Sequence, residues 1–160
     1  MGPALRLYRE RYEAVGMFDN AVYPDVVRGL AALRAAGCVM LVVTSKPQPF
    51  AERILEHFEL TPYFSGIYGS RLSGHLSNKA DLIAHVLRTE AIQPSRAVMI
   101  GDRSYDIVGA RHNGVVAVGV LWGYGSREEL VDAGADAVVG SMAELTVVVS
   151  QREAALVHAV

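Results

Sequence analysis

The residues best suited to chemistry in this chain lie in Gly101-Asp102-Arg103-Ser104-Tyr105-Asp106, directly after the apolar run Ala97-Val98-Met99-Ile100. The run reads as a buried strand. A helix starting at Ser104 would place Asp102 and Asp106, four residues apart, near one edge of a sheet. Two carboxylates facing one point can hold Mg²⁺, which takes few protein oxygens and completes its octahedron with water and phosphate. The plain alternative is that Asp102 ends a strand and Asp106 lies on a solvated helix face. Two other segments bear on the choice. Thr44-Ser45-Lys46-Pro47 follows the apolar stretch from Cys38 to Val43. Hydroxyls and backbone N–H groups at a strand end form an anion cradle, or else cap a turn. Lys79 opens a helix within Leu76-Ser77-Asn78-Lys79-Ala80-Asp81. The helix dipole disfavours a cation there, and an anionic ligand would offset that. The ordinary reading is a solvated surface lysine.

These residues need elements to position them. Residues 4 to 15 read as a helix with Leu5, Tyr8, Tyr12 and Val15 on one face, and Met17 to Tyr23 as a linker. Pro24 opens a helix with Val26, Val27, Leu30 and Leu33 inward and Gly37 as its stop. Strands are expected at Cys38 to Val43, Gly66 to Gly69, Ala97 to Ile100, Val115 to Leu121 and Ala135 to Val139. Helices are expected around Phe50 to Phe58, through Leu82, Ile83, Val86 and Leu87, and up to Asn113. Ser126 with Glu129, and Ser141 with Glu144, have capping-box spacing. The tail from Gln151 receives no element. Five strands alternating with helices predict a three-layer α/β fold with a mostly parallel sheet. Ligands of such sheets bind beyond the carboxyl ends of the strands, where Thr44, Ser45 and Asp102 fall.

The totals narrow the function classes. The chain has 160 residues, 51% of them apolar and 20% charged, with a formal net charge of −2. That suits one globular domain with a sizeable core and gives no basic patch for nucleic acid. No run of about 18 apolar residues exists to span a membrane, and the first residues do not read as a signal peptide. Cys38 is the single cysteine, read as a small buried hydrophobe rather than a nucleophile, and a reducing cytoplasm is the default expectation. The histidines show no metal-ligand spacing. No Gly-x-x-x-x-Gly-Lys-Ser/Thr and no Gly-x-Gly-x-x-Gly follows a strand. Gly123-Tyr124-Gly125 reads as a flexible loop at the rim of the site.

A hydroxyl after one strand, a lysine opening a later helix and an acidic pair after the next strand occur in that order. Together Thr44, Lys79 and Asp102/Asp106 resemble the second, third and fourth motifs of the haloacid dehalogenase-like (HAD) hydrolases. The similarity is to the phosphoglycolate phosphatase and 5′-nucleotidase-like branch and includes Thr44-Ser45-Lys46-Pro47 and Trp122-Gly123-Tyr124-Gly125-Ser126. The resemblance implies a Rossmann-like core and a Mg²⁺-dependent phosphatase of a small phosphomonoester. In that reading Thr44, Ser45 and Lys79 bind the phosphoryl group, and Thr44, Lys79 and Asp102 are catalytic. Asp102 and Asp106 serve the metal, Asp106 orienting either a metal-bound water or Lys79.

One departure matters. The family's first motif, Asp-x-Asp-x-Thr after an N-terminal strand, is absent from these residues. Its first Asp is the nucleophile. Asp19 is a poor substitute, because Ala21 stands where the second acid belongs. By this resemblance residues 1–20 are a remnant of a helical cap and its linker, 21–150 the core and 151–160 a tail. The chain is then inactive or incomplete alone, and two strands flanking the missing one are left with unpaired edges. Self-association or pairing with the missing N-terminal segment would close the sheet. The competing expectation is a non-catalytic phosphate-binding or interaction module.

Overall fold

In a sheet covered on both faces, alternate side chains must find a core on their own side. The computed structural model, which describes residues 16–71, 74 and 76–157 with side chains as far as Arg152, is built this way. Strand β1 is Leu41–Pro47, β2 is Gly66–Ser70, β3 is Val98–Gly101, β4 is Val116–Val120 and β5 is Ala137–Val139. Helices α1 (Val26–Ala35), α2 (Gln48–His57), α3 (Lys79–Thr89), α4 (Ser104–His112), α5 (Arg127–Asp132) and α6 (Met142–Val157) alternate with them. Val98, Val118, Val120 and Val139 face Leu30 and Leu33 of α1 and Met142 and Leu145 of α6. Their chain neighbours Met99, Ala117 and Val138 face Ile83 of α3, Ile107 and Ala110 of α4 and Leu130 of α5. The result is the expected three-layer α/β arrangement.

All strand pairs are parallel. β3 pairs with β4 from Val98↔Val116 to Gly101↔Gly119, and β4 pairs with β5 from Val118↔Ala137 to Val120↔Val139. β1 pairs with β2 from Leu41↔Gly66 to Thr44↔Gly69. The strands fall into two sheets, β1-β2 and β3-β4-β5. Among the described residues, one edge of β1 and one edge of β3 therefore lack a strand partner. The two edges are close: Val43 of β1 and Met99 of β3 pack on the same core cluster, and Met40 and Val98 on the other. Among the described residues a seam thus separates β1 from β3, the place where the family resemblance implies unpaired edges.

Several local expectations change. The first strand starts at Leu41 and runs through Thr44, Ser45 and Lys46 to Pro47, instead of ending at Val43. Its pairing is irregular between Thr44 and Pro47, which is opposite Ser70, so these residues form a bulged strand end rather than a separate turn. Val39 is exposed. Val27 is also exposed, while Leu30 and Leu33 fill the inward face of α1 with Val26 at its margin. The segment read as a linker contains a 3₁₀ turn, Gly16–Phe18, whose Met17 is fully buried and whose Phe18 ring lies 4.5 Å from His57 of α2. α6 passes Gln151 and continues to Val157. The helix expected over residues 4–15, His75 and His158 lie outside the described residues.

Candidate active site

The site assembles at the carboxyl ends of β1 and β3. At the end of β1, the Thr44 hydroxyl accepts the Lys46 N–H at 3.2 Å. The Ser70 hydroxyl, buried at the end of β2, donates to the Ser45 carbonyl at 2.8 Å. These bonds hold the bulge open toward solvent, with Ser45 exposed. Thr44 Oγ1 spends acceptor capacity on the backbone and keeps its own O–H to donate.

Lys79 is the first residue of α3, whose N-cap Asn78 accepts the N–H groups of Ala80 and Asp81. It is not a surface lysine. Its Nζ lies 2.9 Å from Asp106 Oδ1 and donates to the Val43 carbonyl at 2.9 Å. The side chains of Lys79 and Asp106 are both 6% exposed. One ammonium thus bridges the seam, from the β1 backbone to the helix after β3. Asn113, read only as a helix end, fixes this approach by donating to the carbonyls of Ala80 and Gly109 at 2.9 and 2.8 Å.

Asp102 and Asp106 flank the start of α4, and the structure gives them different tasks. Asp106 Oδ2 turns back to accept the Arg103 N–H at 3.2 Å, and its Oδ1 holds Lys79. Of the two roles expected for Asp106, this geometry supplies the orientation of Lys79. Gly101 makes the turn possible, since a Cβ there would stand 2.3 Å from the Asp106 Cβ. Asp102 Oδ2 accepts the Tyr124 N–H at 2.7 Å, leaving Oδ1 as its remaining donor to a cation. The residues fit Mg²⁺ to that extent, as one hard oxygen at a strand end for a cation that keeps several waters. No cluster of three acidic, histidine or cysteine side chains suited to a metal occurs among the described residues.

Sequence reasoning missed Glu129. Its backbone N–H does take the Ser126 hydroxyl at 3.1 Å, as the capping-box spacing suggests. Its carboxylate instead crosses to α4, where Oε1 accepts the Ser104 N–H at 2.8 Å and Arg103 Nε at 3.0 Å. Those bonds, the Ser104 amide first and then Arg103, hold the Glu129 carboxyl below its usual range. They cap the helix that carries Asp106 with a residue 25 positions away. The Trp122 ring packs on the core, so the loop read as flexible is anchored at Trp122 and at Asp102.

The profile of the haloacid dehalogenase-like hydrolases matches residues 3–114. The chain belongs to that family. It is 42% identical over 127 residues to a 5′-nucleotidase of Pseudomonas aeruginosa, covering 79% of this chain and 58% of that protein. It is 33% identical over 140 residues to a phosphoglycolate phosphatase of Chromobacterium violaceum, covering 88% of this chain and 62% of the relative. Among solved structures, a predicted phosphatase from Clostridium acetobutylicum superposes with a TM-score of 0.89 at 43% identity, over 92% of this chain and 68% of that one. The HAD chain therefore spans about three-fifths of the length of these curated relatives. No helix among its described residues is long and apolar enough to cross a membrane.

Proposed function

We propose that this HAD chain carries the phosphate-holding and cation-holding part of a Mg²⁺-dependent phosphatase for small phosphomonoesters. The observation that carries the reading is the buried Lys79 ammonium, shared between Asp106 Oδ1 and the Val43 carbonyl. An ammonium has three N–H donors. Two are used, and the third is left for a phosphoryl oxygen beside the Thr44 hydroxyl. Ser45 adds a second hydroxyl at the same strand end. Asp106 keeps the Lys79 ammonium aimed. Asp102 would hold Mg²⁺, which when bound offsets the negative charge on the phosphoryl oxygens. The relatives named 5′-nucleotidase and phosphoglycolate phosphatase support the phosphomonoester class.

Phosphoryl transfer of this type needs an in-line nucleophile, and the family resemblance assigns it to a strand that these residues do not contain. The seam between β1 and β3 suits such a strand. An apolar strand there would pair with both edges, send alternate side chains into both core clusters, and end beside Thr44 and Asp102. Loss of a nucleophile costs on the order of 10⁴ to 10⁶ in rate, so the chain alone is expected to be silent. The same open edges favour a second reading, a phosphate-binding module that completes its sheet with a partner. Calorimetry with phosphate and Mg²⁺, run beside p-nitrophenyl phosphate hydrolysis, separates the two. We expect phosphate binding by the chain alone, and turnover once an N-terminal extension bearing an Asp-x-Asp-x-Thr strand is joined to it. Binding without turnover in the extended protein would leave the module reading. No binding and no turnover would overturn both.

A further inference from the structure

Lys79 is the first residue of α3, so the place of its ammonium depends on where that helix begins relative to α4. Two residues at the end of α4 govern this. Asn113 follows the helix, and its side-chain amide has two hydrogens to donate. Both are used, on the Gly109 carbonyl at 2.8 Å and on the Ala80 carbonyl at 2.9 Å, 33 residues away in sequence. The Asn113 backbone N–H turns instead to the Ala110 carbonyl. One side chain therefore closes the end of α4 and ties it to the residue after Lys79. Gly109, one turn earlier, sets the distance. A Cβ there would stand 2.9 Å from Lys79 Cγ and 3.1 Å from the Ala80 nitrogen. Only a residue without a side chain lets the first turn of α3 lie so close.

The other contacts of Lys79 do not do this work. The Asn78 cap holds the N–H groups of Ala80 and Asp81 and so shapes the turn, but it belongs to the same segment. The ion pair with Asp106 can follow a shifted helix, because the lysine stem is flexible. The aim of the third N–H cannot, because a hydrogen bond weakens steeply once it leaves its line.

We infer that Asn113, seated by Gly109, is a positioning residue of the phosphate site, acting through Lys79. The inference rests on the phosphate-site reading above and adds to it the residues that set where the ammonium stands.

The test is calorimetry of inorganic phosphate with Mg²⁺ present, on the 160-residue chain and on Asn113→Ala, Gly109→Ala and Ser141→Ala. Ser141 caps α6, on the other face of the sheet, so its variant loses stability away from the site. Urea unfolding of each protein shows that it is folded at the temperature used. Asn113→Ala and Gly109→Ala should each bind phosphate about tenfold more weakly than the parent, the scale of one charge-assisted hydrogen bond. Ser141→Ala should bind it within about twofold of the parent. If Asn113→Ala does not fold, Gly109→Ala carries the test, and Asn113→Ser, which keeps one donor, stands in for the first variant. Parent-like affinity in either the Asn113 or the Gly109 variant overturns the inference but leaves the phosphate site standing. So does a loss in Ser141→Ala equal to theirs, which would mark general softening. Absence of phosphate binding by the parent overturns the inference and the phosphate site together.

Discussion

Asp106→Asn tests the buried ion pair on which the site is built. The substitution is nearly isosteric and keeps a carbonyl oxygen to accept the Arg103 N–H, now 3.2 Å from Asp106 Oδ2. It removes the charge that faces the Lys79 ammonium at 2.9 Å, where both side chains are 6% exposed. Breaking one partner of a pair buried this deeply costs about 3–5 kcal/mol, because the surviving charge is left uncompensated. At about 2–4 °C per kcal/mol for a domain of this size, the melting temperature should fall by about 6–20 °C. Removing the second charge should restore much of the loss. Lys79→Met fills similar volume and removes the second charge, at the lesser cost of the one hydrogen bond to the Val43 carbonyl. The double variant Lys79→Met/Asp106→Asn should therefore be more stable than Asp106→Asn by about 2 kcal/mol or more. Urea unfolding followed by the fluorescence of Trp122, the single tryptophan, gives all the values needed. An Asp106→Asn protein within about 1 kcal/mol of the parent, or a double variant as unstable as the single one, would refute the reasoning.

Two further outcomes follow from the same geometry. The Glu129 carboxyl is held below its ordinary value near 4.5 by the Ser104 amide and by Arg103. A depressed carboxyl stabilises the fold above its unfolded-state value, and that contribution fades as pH falls through the folded-state value. Melting temperatures measured from about pH 7 to pH 3 should thus drop less steeply for Glu129→Gln than for the parent, and parallel curves would contradict the capping role. Gly123→Ala forces a Cβ to within 2.3 Å of Asp102 Oδ2, so the carboxylate or the loop must move. The expected cost is about 1–3 kcal/mol, together with weaker binding of Mn²⁺ as a stand-in for Mg²⁺. Unchanged Mn²⁺ affinity by calorimetry would remove Asp102 from the cation site.

What could be read from the sequence was whatever short-range pattern encodes. Val98, Met99 and Ile100 announce a strand because apolar, β-favouring residues run together before Gly101-Asp102, and the same holds for β4. The motifs at Thr44, Lys79 and Asp102 were visible as residue types at strand and helix ends, and the resemblance led to the expectation of unpaired strand edges, found among the described residues at β1 and β3. Longer-range pairings were not visible. The meeting of Lys79 with Asp106, 27 residues on, was open to expectation only through the family resemblance, and nothing local says that the Glu129 carboxylate leaves Ser126 for Ser104. Those contacts depend on how α3, α4 and α5 lie on the sheet. Ser45 and Lys46 lack an apolar signal, yet β1 runs through them because pairing resumes at Pro47↔Ser70 after the bulge. Gln151-Arg152-Glu153 looks like a polar end, but these are good helix formers, and α6 continues through them. Met17 appeared as part of a linker because a single buried side chain has no periodicity to betray it.

The most direct measurement is the Mg²⁺-dependent rate of p-nitrophenyl phosphate hydrolysis by the chain joined to an Asp-x-Asp-x-Thr strand, with Asp102→Asn and Lys79→Met made in that protein. The account predicts turnover in the parent, a fall on the order of 10³ or more in each variant, and no Mg²⁺-dependent rate in the 160-residue chain alone. Full activity in Asp102→Asn, or Mg²⁺-dependent turnover by the short chain, would contradict it, and in the second case Asp19 would be the first residue to replace.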